Sequence, residues 1–106
     1  GPVLSMATAN DLQEALNIAN SMEYGLSTSV FTQDIDNIMR FVEEVEVGMI
    51  HINEPSVGGE AQLPFGGTKS TGIGEREMGE DGLNFFTEVK TVFINFSGKA
   101  KVSAIR

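Results

Sequence analysis

Apolar positions at Leu12, Ala15, Leu16, Ala19 and Met22 recur at intervals of three and four, which predicts an amphipathic helix over about 11–22. Thr8 or Asn10 can cap it, and Asn10 with Gln13 three residues on makes an approximate capping box. A second stripe, Ile35, Ile38, Met39, Val42 and Val45, follows Asp34, a natural helix cap. Asp36, Arg40, Glu43, Glu44 and Glu46 take the other side, a solvated face. Gly48 stands where a helix C-cap belongs. Short β-prone runs lie around these helices: Val3-Leu4-Ser5-Met6, then residues 26–32 centred on Val30-Phe31, then 49–53. The alternation predicts an α/β protein, a three-layer βαβαβ parallel sheet. Its methionines read as core filler.

The second half of the chain has a different grammar. Residues 54–75 hold six glycines and two prolines, too many to pack as an element. Gly66, Gly67, Gly72 and Gly74 mark a backbone that needs positive φ or close approach to another group. In α/β proteins, loops after the C-terminal ends of parallel strands are where sites are built. A short helix is expected over 77–86, weakened by Gly79 and Gly82 and anchored by Leu83, Phe85 and Phe86. Residues 87–96 then form the longest β-prone run, with Thr87, Val89, Thr91, Val92, Phe93, Ile94 and Phe96. Such a run seeks a partner edge. The tail from Ser97 onward is small and basic.

Composition narrows the chemistry. An apolar fraction of 41% with 21% charged residues is ordinary for a globular domain, and 106 residues allow at most one small, marginally stable core. A net charge of −8 argues against nucleic acid and suits solubility. No apolar run reaches the roughly 18 residues of a membrane span, so a cytoplasmic location is the default expectation. The chain has no cysteine and one histidine, which leaves only carboxylates for a metal, without calcium-loop spacing. His51, between Ile50 and Ile52, has no nucleophile or orienting acid nearby in sequence and reads as structural or surface. Gly67-Thr68-Lys69-Ser70 is not a phosphate cradle, because Thr68 precedes the lysine and Gly72 and Gly74 break any following helix. Nor does Gly72-Ile73-Gly74 complete a dinucleotide fingerprint, since Glu77 takes the third glycine's place.

One collinear set of motifs is more specific than any of these. Pro64-Phe65-Gly66-Gly67-Thr68-Lys69-Ser70-Thr71-Gly72-Ile73-Gly74, then Arg76-Glu77, then Thr87-Glu88-Val89-Lys90-Thr91-Val92 occur in order. Upstream stand Tyr24-Gly25-Leu26-Ser27, Val30-Phe31-Thr32, Gly48-Met49-Ile50-His51-Ile52-Asn53 and Gly1-Pro2-Val3. Together they resemble the C-terminal part of the NAD(P)-dependent aldehyde dehydrogenase superfamily over nearly the whole chain. Two small departures are Thr71 where serine is usual and Glu75 inserted before Arg76.

The resemblance implies a division of labour. Residues 1–86 would be the C-terminal portion of the catalytic domain, 87–96 an oligomerisation-type strand and 97–106 a tail. Glu54, Pro55, Ser56 and Phe65 would face the aldehyde tunnel, with an acid at Glu54 tilting preference toward a polar or cationic aldehyde. Asn53, Gly66, Gly67, Lys69, Gly72 and Gly74 would shape the loop, Asn53 by holding its first turn. Thr87, Glu88, Val89, Lys90, Thr91 and Val92 would join the sheet of a sister subunit. Family members attack the aldehyde with a cysteine thiolate, pass hydride to NAD or NADP, and hydrolyse the acyl-enzyme. The cysteine and the dinucleotide fold are not in this sequence, so no catalytic or cofactor-binding residue is expected in it. Two readings follow: a truncated or split aldehyde dehydrogenase inactive alone, or a non-catalytic module that assembles with itself or with a chain carrying the missing part.

Overall fold

The computed structural model describes residues 1–99. Its first helix, α1 (Leu12–Asn20), is capped by Asp11, whose carboxylate accepts the Glu14 N–H at 2.8 Å. Glu14 reaches back to the Asn10 N–H at 2.8 Å. The reciprocal cap therefore runs one residue later than the Asn10–Gln13 spacing suggests, because Asp11 offers a charged acceptor to the helix end. Two short strands follow, β1 (Tyr24–Gly25) and β2 (Ser27–Val30). Helix α2 (Ile35–Glu44) starts at Asp34, whose Oδ1 accepts the N–H groups of Asp36 and Asn37. It ends at Val45 in extended backbone.

Strand β3 (Met49–Ile52) lies parallel to β2, in the register Ser27 to Met49 through Val30 to Ile52. β2, α2 and β3 thus form one βαβ unit. The β-strand period of two divides its sheet. Val30, Ile50 and Ile52 pack on the helices with Leu16, Phe41 and Val45, the three buried apolar side chains. The serine hydroxyls of β2 instead hold the loop after β3: Ser27 donates to the Ser56 carbonyl at 2.9 Å, and Ser29 to that of Glu54. A second pairing was not foreseen. β4 (Thr68–Lys69) runs antiparallel to β1. The last helix is α3 (Gly79–Phe85).

Several expectations are corrected. Val3-Leu4-Ser5-Met6 forms no strand, and Val3, Leu4 and Met6 are almost fully exposed. A strand exists only through a ladder partner, and within the described chain this run has none. The predicted βαβαβ sheet is therefore a βαβ unit plus a separate two-residue antiparallel pair. Gly48 does not cap α2. Its role is contact: a Cβ there would lie 1.7 Å from the Gly66 carbonyl oxygen. Residues 87–96 pair with no described strand, and of the predicted tail of 97–106, residues 100–106 lie outside the described residues.

The result is an open molecule. Its accessible surface is 9127 Å², where a compact monomer of this mass exposes about 5,800 Å². Its radius of gyration is 21.8 Å, against about 13 Å for a compact chain of similar length.

Candidate functional site

The end of β3 is fixed by Asn53. Its backbone N–H bonds the Val30 carbonyl at 2.8 Å, extending the parallel ladder. Its side chain then takes both backbone groups of Thr32, accepting from the N–H at 2.8 Å and donating to the carbonyl at 2.9 Å. Asn53 adopts φ +60°, a left-handed conformation that asparagine tolerates better than other side-chained residues. This two-point clasp sets the direction in which the loop leaves the sheet.

The glycine loop returns to the folded body through a polar knot. Lys69 Nζ donates to the carbonyls of Asn20 at 2.6 Å and Met22 at 3.2 Å and pairs with the Glu46 carboxylate at 2.8 Å. Those carbonyls lie at and just beyond the end of α1, where unpaired oxygens and the helix dipole favour a cation. Asn20 links the two helix ends, donating to the Glu44 carbonyl at 2.7 Å and accepting from the Glu46 N–H at 2.9 Å. Thr68 Oγ1 donates to the Glu46 carbonyl at 3.0 Å. Lys69 holds φ +53°, which costs a side-chained residue about 1 kcal/mol.

On the other side of the loop, Phe65 and Glu77 exchange two backbone hydrogen bonds of 2.7 Å, and Arg76 donates to the Gly67 carbonyl. Gly67 is buried, and a Cβ there would meet Thr71 Cγ2 at 2.4 Å. Gly72 approaches the Gly67 carbonyl in the same way, whereas Gly74 stands clear with φ +104°.

Between this loop and the sheet lies a groove in two continuous parts. One, of about 300 Å³, is walled by Phe65, Leu63, Met78 and β3. The other, of about 370 Å³, carries Glu54 and Val57, and both share Ile50, His51, Gly58, Gly59, Glu60 and Leu63. Glu54 and Phe65 therefore lie on adjoining parts of one groove. Pro55 and Ser56 are exposed and outside these lining sets. His51, read from sequence as structural or surface, faces the groove with its side chain 16% exposed. Its Nδ1 is 3.7 Å from the Glu54 carboxylate, which is 67% exposed. The alternation of His51 with the core-facing Ile50 and Ile52 was the sequence signal for this placement. Met78, at φ +66°, gave no such signal.

Thr87, Glu88, Val89, Lys90, Thr91 and Val92 are exposed and are not among the groove-lining residues. Among the described residues no group of three or more metal-ligating side chains gathers, and no helix is long and apolar enough to cross a membrane. Gly72 and Gly74 do not lead directly into a helix. After Gly72 and Gly74 the next helix begins only at Gly79, and its first turn carries Glu80 and Asp81, which would repel a pyrophosphate.

A loop at the C-terminal end of a parallel strand is where α/β proteins commonly bind ligands. The comparisons name the family. The Aldehyde dehydrogenase family model matches residues 1–92, and the chain belongs to that family. It is 45% identical over 94 residues to the alpha-ketoglutaric semialdehyde dehydrogenase of Bacillus subtilis, covering 89% of this chain and 19% of the relative. It is 47% identical over 94 residues to the 2,5-dioxopentanoate dehydrogenase of Saccharolobus solfataricus, covering 88% of this chain and 20% of that one. The chain thus spans about a fifth of the length of the curated relatives it matches. Among solved structures, a putative methylmalonate-semialdehyde dehydrogenase from Sinorhizobium meliloti complexed with NAD superposes with a TM-score of 0.82 at 35% identity. That match covers 87% of this chain and 19% of the other. A salicylaldehyde dehydrogenase from Pseudomonas putida complexed with salicylaldehyde gives 0.74 at 39% identity, covering 88% and 19%.

Proposed function

We propose that this chain is the C-terminal portion of an NAD(P)-dependent aldehyde dehydrogenase and supplies one wall of its aldehyde tunnel. Residues 1–86 belong to the catalytic domain in this reading, and the tunnel wall is the groove that carries Glu54 and Phe65, with Pro55 and Ser56 at its mouth. The observation that carries the reading is the groove itself, built where parallel-sheet proteins bind ligands and coinciding with the motif-bearing part of the family match. The chain's own residues bind and orient. The thiolate and the dinucleotide site are contributed by other residues of the complete enzyme, and the chain does not turn over alone. Thr87 through Val92 join it to a sister subunit, or to a chain that carries the remaining part, in the cytoplasm.

The groove also sorts substrates. The two curated relatives are named for alpha-ketoglutaric semialdehyde and 2,5-dioxopentanoate, whereas Glu54 and Glu60 line the groove here. An ionised Glu54 favours neutral polar or cationic aldehydes over anionic ones. The test is reconstitution: the chain is mixed or fused with the complementary part of a related enzyme, and NAD(P)-dependent oxidation is followed over aldehydes of each charge. Turnover by the assembly and none by the chain alone is expected. Turnover by the chain alone, or a Glu54→Ala variant with unchanged charge preference, overturns the corresponding part.

A second reading, a non-catalytic assembly module, is supported by the exposed Val89, Val92, Phe93, Ile94 and Phe96. Affinity capture from source cells separates the two. Recovery of a partner with the nucleophilic cysteine supports the enzyme, and recovery of only the chain itself as an oligomer supports the module.

A further inference from the structure

The three non-glycine residues of the described chain with left-handed backbone, Asn53, Lys69 and Met78, all lie in or beside the glycine loop. Asn53 is a residue that tolerates the conformation, and Met78 lines the groove. Lys69 is neither. A glycine would occupy φ +53° without strain, so the lysine's place there points to its side chain.

We infer that Lys69 is a positioning residue, whose ammonium sets the height of the glycine loop over the sheet and so fixes the Phe65 wall of the groove. The Nζ draws together three oxygens from the ends of α1 and α2, those of Asn20, Met22 and Glu46. Thr68 beside it is bonded to the Glu46 carbonyl. One step earlier, the Gly66–Gly67 backbone lies against Gly48 with no room for a Cβ, and Gly48 in turn donates to the Gly25 carbonyl at 3.1 Å. Phe65 is the next residue back. The chain from ammonium to groove wall is therefore four residues of tightly packed backbone, and close-packed contacts of this kind transmit displacement.

The role rests on the tunnel reading only for its effect on substrate, and the test treats the two separately. In the 106-residue chain, amide exchange is measured for Lys69→Met and Lys69→Gly. Both variants are expected to speed exchange of the Ser70 and Phe65 amides about tenfold, with the Asn53 amide unchanged. Wild-type exchange in Lys69→Gly would show that only the backbone matters and overturn the inference. So would equal acceleration across β3, which would report general destabilisation. In the reconstituted enzyme, Lys69→Met is expected to raise KM for aldehyde several-fold with KM for the dinucleotide within twofold, and Lys69→Arg to recover part of the loss. A fall in kcat with both KM values unchanged overturns it. If the wild-type chain assembles no active enzyme, the tunnel reading fails, while amide exchange still decides the positioning role.

Discussion

Two stretches of this chain invert what their sequences promise. The loop from Glu54 to Glu77 is rich in breakers and has two strand residues to its name, yet it is tied down at Ser27, Ser29, Glu46 and Asn20 and braced internally by Arg76 on Gly67. Residues 87–96 have the strongest strand propensity in the chain and make no ladder, with Val89 96% and Phe93 92% exposed. The difference lies in where the partners are. The loop's anchoring hydrogen bonds find their partners within the chain, whereas a β-prone run is only half of a structure and waits for another edge.

The contrast can be broken most severely from the core that the loop stands on. Leu16→Ala removes the most buried side chain, 1% exposed, and is expected to cost about 2–5 kcal/mol by denaturant unfolding. Residues 87–96 should keep their exchange behaviour throughout. Gly48→Ala is next. Its methyl group would collide with the Gly66 carbonyl, and a loss of about 1–3 kcal/mol is expected. Groove ligands should be lost while helix content by circular dichroism is largely kept. Asp34→Ala removes the α2 cap and should lower stability by about 1 kcal/mol. The smallest effect on folding sharpens the other side of the comparison. Phe93→Lys should leave the unfolding free energy within about 0.5 kcal/mol, yet reduce self-association in sedimentation experiments, because charge on an open strand blocks edge pairing.

What the sequence made legible follows the same division. The stripes of Leu12, Leu16 and Ala19 and of Ile35, Ile38, Met39, Val42 and Val45 predicted α1 and α2, because burial against one face imposes a period that one segment displays by itself; the second stripe nevertheless missed Phe41, which is buried, and took in Ile35, Met39 and Val42, which are exposed. β2 and β3 were legible for a similar reason. The pairing of Tyr24 and Gly25 with Lys69 and Thr68 was not, since a two-residue ladder has no period to read. Gly48 was read as a cap because its position after a helix is visible in sequence, whereas the carbonyl it packs against is 18 residues away. Of the candidate site, Glu54 and Phe65 could be placed on the groove from the motif, whereas His51 needed the strand's two faces to be resolved. Val3-Leu4-Ser5-Met6 misled because its propensity was present and a ladder partner in the described chain was not.

The small core has a calorimetric consequence. Only Leu16, Phe41 and Val45 are buried apolar side chains among the described residues, so unfolding hydrates little new apolar surface. The heat-capacity increment should fall well below the roughly 12–15 cal/mol/K per residue of compact domains. The stability curve of the isolated chain should be correspondingly flat, with a broad melting transition and little loss of stability on cooling.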